Sequence, residues 1–101
     1  MRKFNAGKAS DLKPGTGKGV EAFGYYIAVF NVKGKLFAVD GTCLHMGGSL
    51  GEGKLDGTTV TCPMHGWKYD VSSGQCKGEP FFKLEQYSVK EENGEIILEF
   101  P

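Results

Sequence analysis

Two short ligand-rich stretches restrict this chain more than anything else in it: Cys43-Leu44-His45 and Cys62-Pro63-Met64-His65, with sixteen residues between His45 and Cys62. They contain both histidines of the chain and two of its three cysteines. Thiolate and imidazole are soft or borderline donors, and close spacing lets one loop present two of them without long-range adjustment. A chain of 101 residues has enough material for one modest core. The fold must therefore serve as a scaffold that brings these two loops face to face. Gly47 and Gly66, beside the histidines, either permit close backbone approach and positive φ or simply turn the chain.

The rest of the sequence reads as strands and turns. An edge strand is expected around Lys3-Phe4-Asn5. A loop follows over Ala9–Gly19, where Ser10 and Asp11 can cap one turn and Pro14-Gly15-Thr16-Gly17 punctuates the chain. Val20–Phe23 is predicted as a strand broken at Gly24. Tyr25–Val32 is the clearest core strand, because Tyr, Ile, Val and Phe favour an extended packed backbone. Lys33-Gly34 turns the chain into Leu36–Val39, and Asp40-Gly41 delivers it to Cys43.

Residues 47–57 include five glycines, which excludes a core helix and leaves at most a short turn at Ser49–Gly51. Asp56-Gly57 leads through Thr58–Thr61 to Cys62. Trp67–Val71 is a short predicted strand ending at Ser72-Ser73-Gly74. Leu84–Glu91 alternates only partly, as an edge or half-buried strand would. Asn93-Gly94 is a hairpin signal before Ile96–Phe100. The expectation is a single all-β domain over residues 1–101, with a Gly-rich insert at approximately 42–79 and no linker that would free it.

Composition narrows the function classes. Twelve basic and twelve acidic side chains cancel, whereas a nucleic-acid binder usually carries net positive charge and a reading surface. The charges are unevenly spread: residues 1–35 hold seven Lys/Arg against two acids, and residues 36–101 hold five lysines against ten acids. That pattern fits two halves that attract, or a patch that steers a partner. Three cysteines make no even disulfide framework, which suits a reducing compartment. Cys76, in the turn-like Ser-Ser-Gly-Gln-Cys-Lys-Gly, reads as a bystander or packed thiol, although spacing alone does not remove it from a metal shell. No apolar run approaches the roughly 18 residues of a membrane span, and the N-terminus lacks a basic-then-apolar leader. A soluble cytoplasmic chain without membrane or nucleic-acid partners is expected.

Zinc accepts two thiolates and two imidazoles in a tetrahedron, so a zinc-bound interaction module is one reading of the four residues. Satisfied histidines beside inert thiols are another. The alternation Cys-His then Cys-His fits a two-iron, two-sulfide cluster better, since each loop can send its cysteine to one iron and its histidine to the other. Cys43 and Cys62 then hold one iron, and His45 and His65 the second. Neutral imidazoles lighten the charge of the reduced state relative to two further thiolates and raise the potential.

At these residues, Cys43-Leu-His45 and Cys62-Pro-Met-His65-Gly66-Trp67, the chain resembles a Rieske [2Fe-2S] protein, most closely a ferredoxin of bacterial aromatic-ring dioxygenase systems. The resemblance implies three antiparallel sheets with the two loops forming a tip, and one [2Fe-2S] cluster held by Cys43, His45, Cys62 and His65. It also implies a one-electron carrier, monomeric when free, with no catalysis of its own. Such a carrier takes electrons from a flavin-dependent, NADH-supplied ferredoxin reductase and gives them to a terminal oxygenase. The small Rieske subunit of an assimilatory nitrite reductase is the neighbouring alternative. Respiratory Rieske domains place a further cysteine in each loop and join the two; the matching positions here are Gly48 and Met64. Where those domains direct a serine hydroxyl at a bridging sulfide, this chain has Trp67. Tyr69 matches the family's sulfur-facing tyrosine, or simply supports the tip. Fewer donors to sulfur imply a lower potential. Leu44, Met46, Pro63, Met64 and Trp67 are expected to form an apolar rim for a partner or a cover for the cluster.

Overall fold

The structure is a computed structural model and describes residues 2–42, 49–63, 66–79 and 81–100. Its strands are β1 (Arg2–Lys8), β2 (Thr16–Ala22), β3 (Tyr25–Val32), β4 (Lys35–Asp40), β5 (Lys54–Asp56), β6 (Thr59–Thr61), β7 (Lys68–Asp70), β8 (Cys76–Lys77), β9 (Gln86–Glu92) and β10 (Glu95–Phe100). Two 3₁₀ turns, Ala9–Asp11 and Leu50–Glu52, are the helical elements among the described residues.

β3 is the hinge of the architecture because both of its faces are buried. Ile27 and Val29 point into one core with Ala6, Leu12, Ala22, Ala38, Ile96, Leu98 and Phe100. Ala28 and Phe30 point into a second core with Val39, Leu50, Val60, Cys62, Tyr69, Val71, Cys76 and Leu84. A strand buried on both sides reads as a continuous apolar run rather than an alternating one, which is why Tyr25–Val32 was the clearest strand in the sequence.

The strands form an antiparallel six-stranded sheet in the order β1-β10-β9-β4-β3-β2 and an antiparallel four-stranded sheet in the order β5-β6-β7-β8. The all-β class is as expected, but the three sheets implied by the resemblance appear as two. Two of them merge through a short ladder between β4 and β9, with Ala38 opposite Tyr87 and Val39 opposite Gln86. Asp40 fastens this seam: its N–H donates to the Glu85 carbonyl at 2.9 Å, and its carboxylate accepts from Glu85 N at 3.0 Å and Tyr87 Oη at 2.8 Å. Burial, followed by this bond to Asp40, pushes the Tyr87 phenol well above its ordinary pKa.

β2 begins at Thr16, four residues before the strand expected from Val20. Gly17 and Gly19 hid it, since glycine has no strand preference. They are there for space: a Cβ on Gly17 would meet the Phe30 ring at 2.4 Å, and one on Gly19 the Tyr26 hydroxyl at 1.9 Å. Pairing of the terminal strands also explains the uneven charge. β1 lies against β10 with Lys3 opposite Glu99 and Lys8 opposite Glu95, so the basic start of the chain meets its acidic end across one ladder.

Candidate metal centre

The first loop leaves β4 at Gly41, and its two ends are clamped side by side. Gly41 N–H donates to the Tyr26 carbonyl at 2.9 Å, Leu50 N–H donates to the Gly41 carbonyl at 2.8 Å, and Thr42 pairs with Ser49 in an antiparallel bridge. The Ser49 and Tyr26 hydroxyls share a hydrogen bond of 2.7 Å. The two ends of the loop are thus closed on each other, and Leu50 drives that base into the core with none of its surface exposed.

The second loop is closed the same way. Cys62 follows β6; its N–H donates to the Trp67 carbonyl at 2.7 Å, and Gly66 N–H donates back to the Cys62 carbonyl at 3.1 Å. Gly66 has φ +77°, a left-handed conformation that side chains resist, so the positive φ expected beside the second histidine is what calls for glycine there. Leu50, Val60, Cys62 and Tyr69 belong to one cluster of buried side chains. The bases of both loops therefore stand on the same core. Gly53 brings them closest: a Cβ there would lie 2.3 Å from the Thr61 carbonyl oxygen, one residue before Cys62.

Of the four expected ligands, Cys62 is described and is 2% exposed, at the edge of that core. Cys43, His45 and His65 lie outside the described residues, as do Leu44, Met46, Gly48 and Met64 of the expected rim and departures. The donor chemistry at Cys62 fits a metal centre: a thiolate carried on a dry core is stabilised by a coordinated cation where water is excluded. Among the described residues no group of three or more His, Cys, Asp or Glu side chains is arranged to hold a metal. Tyr69 is fully buried and opposite Val60, so its ring fills the core beneath the second loop. Cys76 is buried opposite Tyr69 on β8, packs in the same core, and its thiol donates to the Lys77 carbonyl at 3.8 Å.

Around the second loop the structure adds residues that pattern reading passed over. Trp67, half-buried, stacks on Phe82 with ring centroids 5.5 Å apart. Phe82 in turn accepts from Cys76 N–H at 3.0 Å and from the Gln75 amide at 3.0 Å, which holds the return segment against β8. Phe81 beside it is 94% exposed. The paired phenylalanines after Pro80 were the available signal. Pro63 is exposed, as a rim residue should be. At the far end of β7, the Ser72 hydroxyl and N–H donate to Asp70 at 2.5 and 2.9 Å. These bonds, with Lys77 nearby, hold the Asp70 carboxyl below its usual pKa against the opposing effect of partial burial.

Comparison with known proteins places this geometry. The family described as the Rieske [2Fe-2S] domain matches residues 2–88. The ferredoxin component of the naphthalene 1,2-dioxygenase/salicylate 5-hydroxylase systems of a Ralstonia species is 32% identical over 96 residues, covering 94% of this chain and 92% of its own length. The oxygenase component of a 3-ketosteroid-9-alpha-monooxygenase from Rhodococcus rhodochrous is 32% identical over 100 residues, and there the chain spans about a quarter, 26%, of the relative's length. A chain in the solved complex of reduced oxygenase and oxidised ferredoxin of carbazole 1,9a-dioxygenase superposes with a TM-score of 0.87 at 33% identity, over 95% of this chain and 91% of that one.

Proposed function

The chain belongs to the Rieske [2Fe-2S] domain family, and from that membership we propose a one-electron carrier of the kind that serves a Rieske-dependent oxygenase. A bound [2Fe-2S] cluster supplies the one-electron couple; the chain's work is to hold it, keep it dry and present one side of it. Cys43 and Cys62 would hold one iron, and His45 and His65 the other. Leu50, Val60 and Tyr69 fill the space beneath and exclude water. Pro63, Trp67 and Phe82 offer a partner an apolar edge beside the second loop. The whole chain of 101 residues acts as a single domain, with segment 42–79 as the cluster-binding part, and works in the cytoplasm as a monomer. Its partners are an NADH-dependent flavin reductase and a terminal oxygenase. Among the described residues no helix is long and apolar enough to cross a membrane.

One observation carries the carrier reading over a catalytic one: the match to a ferredoxin component over nearly the full length of both chains. Both histidines of these 101 residues sit in the two loops. The test is an anaerobic electron paramagnetic resonance spectrum of the dithionite-reduced protein, with iron and acid-labile sulfide measured on the same sample. The mixed Cys/His signal with two irons and two sulfides per chain is expected. A fully occupied protein with one zinc and no sulfide overturns the proposal. NADH-driven reduction in the presence of a flavin reductase, followed by reoxidation by an oxygenase, then tests the partners.

A further inference from the structure

The outer face of the four-stranded sheet sorts its charges by distance from the ligand loops. Leu55, Val60, Tyr69 and Cys76 form one cross-strand row that points into the core. On the opposite face, Lys54 pairs with Thr61, Thr61 with Lys68, and Lys68 with Lys77. This row is nearest the cluster-binding loops, since Thr61 precedes Cys62 and Lys68 follows Trp67. Two residues further along the strands, the same face carries Asp56, Thr59 and Asp70. The basic row lies beside the loops, and the acidic row lies away from them.

All three lysines are exposed. Lys68 Nζ donates to Thr61 Oγ1 at 2.9 Å, and Lys77 Nζ to Thr59 Oγ1 at 2.7 Å, so two ammonium groups are steadied on hydroxyls that leave their charge intact. Lys77 leans toward Asp70. Ion pairs among the described residues are formed by Lys90 and by none of these three. Between Lys68 and Lys77 lies a hollow of about 220 Å³, floored by Gly66, Trp67 and Gly78, with Glu79 as its one acid. It opens beside Gly66, the residue after His65.

We infer that the Lys54/Lys68/Lys77 row, with the hollow between Lys68 and Lys77, is the docking face for a protein surface that presents carboxylates beside its own redox centre. Three like charges in one row, on a chain with no net charge, form a local field that orients a partner rather than a general polyanion site. The hollow is wide enough for an aspartate or glutamate side chain, and the Trp67–Phe82 stack supplies the apolar part of the contact. This inference rests on the electron-carrier reading for its purpose and for the redox measurement below, but not for the binding measurement.

Two experiments test it. The first is fluorescence anisotropy of labelled poly-L-glutamate titrated with holoprotein at low ionic strength. The Lys68→Gln/Lys77→Gln variant should bind at least about fivefold more weakly, and Lys13→Gln/Lys33→Gln, at the other end of β2 and β3, should bind as the parent does. The second is stopped-flow oxidation of the dithionite-reduced protein, in which one electron passes to the oxidant. With anionic ferricyanide the row variant should be slower by about three- to tenfold at low salt and converge with the parent near 0.5 M salt. With a cationic cobalt(III) complex the order should reverse. Equal binding by parent and row variant, an equal loss in the control variant, or a deficit independent of salt overturns the inference. So does displacement of polyglutamate by inorganic phosphate at matched ionic strength, or tighter binding of oligo-dT. Failure of the carrier reading shows separately, as protein without sulfide that dithionite cannot reduce.

Discussion

Substituting Gly53→Ala tests whether the contact between the bases of the two loops is what sets the site. Gly53 has φ −74° and ψ 162°, which alanine adopts without strain, so the substitution reports close approach alone. The added Cβ would lie 2.3 Å from the Thr61 carbonyl oxygen, 3.0 Å from a Val60 methyl and 3.2 Å from the Leu50 carbonyl. A relaxed carbon–oxygen contact is about 3.3 Å or more, so residues 50–53 and β6 must part by roughly 1 Å. Neither can yield cheaply, because Leu50 and Val60 are both fully buried. Overpacking of this kind costs roughly 1–3 kcal/mol. At about 4–8 °C per kcal/mol for a chain of this size, the melting midpoint should fall by about 4–24 °C. The same displacement moves the strand that delivers Cys62 away from the base of the first loop, so iron and sulfide per chain should fall as well. Circular-dichroism melts and iron and sulfide assays read the two effects. Gly57→Ala is the control: its Cβ meets nothing within 4 Å, but its φ is +62°, so it should lose about 1–2 kcal/mol from backbone strain with the cluster content unchanged. A Gly53→Ala protein with the parent's melt and full cluster content would refute the reasoning.

Three further substitutions separate roles at the site. Cys76→Ser places a hydroxyl in an apolar core and should lower stability by roughly 1–3 kcal/mol while the visible absorbance and iron content persist; loss of the chromophore would show that Cys76 belongs to the shell. Trp67→Ala removes the ring that stacks on Phe82 and should slow oxidation by a protein partner while dithionite reduction proceeds; a bleached oxidised spectrum would mean that the indole shields the cluster instead. Asp70 has a folded pKa below its ordinary value, so its contribution is fully present above about pH 4 and is lost as the pH falls through the lowered value. Melts at stepped acidic pH should therefore show a smaller loss of midpoint in Asp70→Asn than in the parent; parallel curves would remove Asp70 from the account.

What the sequence disclosed depended on whether a residue's job was to pack or to leave space. Tyr25–Val32 declares itself because both of its faces are apolar. Lys33-Gly34, Asp56-Gly57 and Asn93-Gly94 declare themselves because their turns use left-handed conformations, with φ +52° at Lys33 and +54° at Asn93. β2 was half hidden because Gly17 and Gly19 yield room to Phe30 and Tyr26. β8 was missed altogether: two residues, Cys76 and Lys77, are too few for a period, and they pair only because Tyr69 and Phe82 hold them from either side. The merger of β4 with β9 rests on Asp40 bonds that span 45 and 47 residues of chain, a separation no local pattern carries. The spacing of Cys43, His45, Cys62 and His65, the proposed ligands, was legible because it depends on residue type and separation alone. The lysine row was not, because Lys54, Lys68 and Lys77 become neighbours only when three strand registers are known.

Those registers tie cluster binding to folding. The core beneath the loops has only short strands on its outer side: β5, β6 and β7 have three residues each and β8 has two. Strands that short give few ladder hydrogen bonds, and a small hairpin is marginal alone. What keeps the four-stranded sheet in place is the side-chain layer shared with β3 and β4, through Ala28, Phe30 and Val39. Two loops rooted in that layer, joined by a metal centre, add a cross-link between segments far apart in sequence, and its binding free energy becomes folding free energy. Chelation of iron should therefore loosen the four-stranded sheet before the six-stranded one. In hydrogen exchange, amides of β6 and β7 should lose protection on iron removal while those of Val29 and Leu98 keep it. Uniform loss across both sheets would mean that the two layers fold as one unit and that the centre is a passenger on the scaffold.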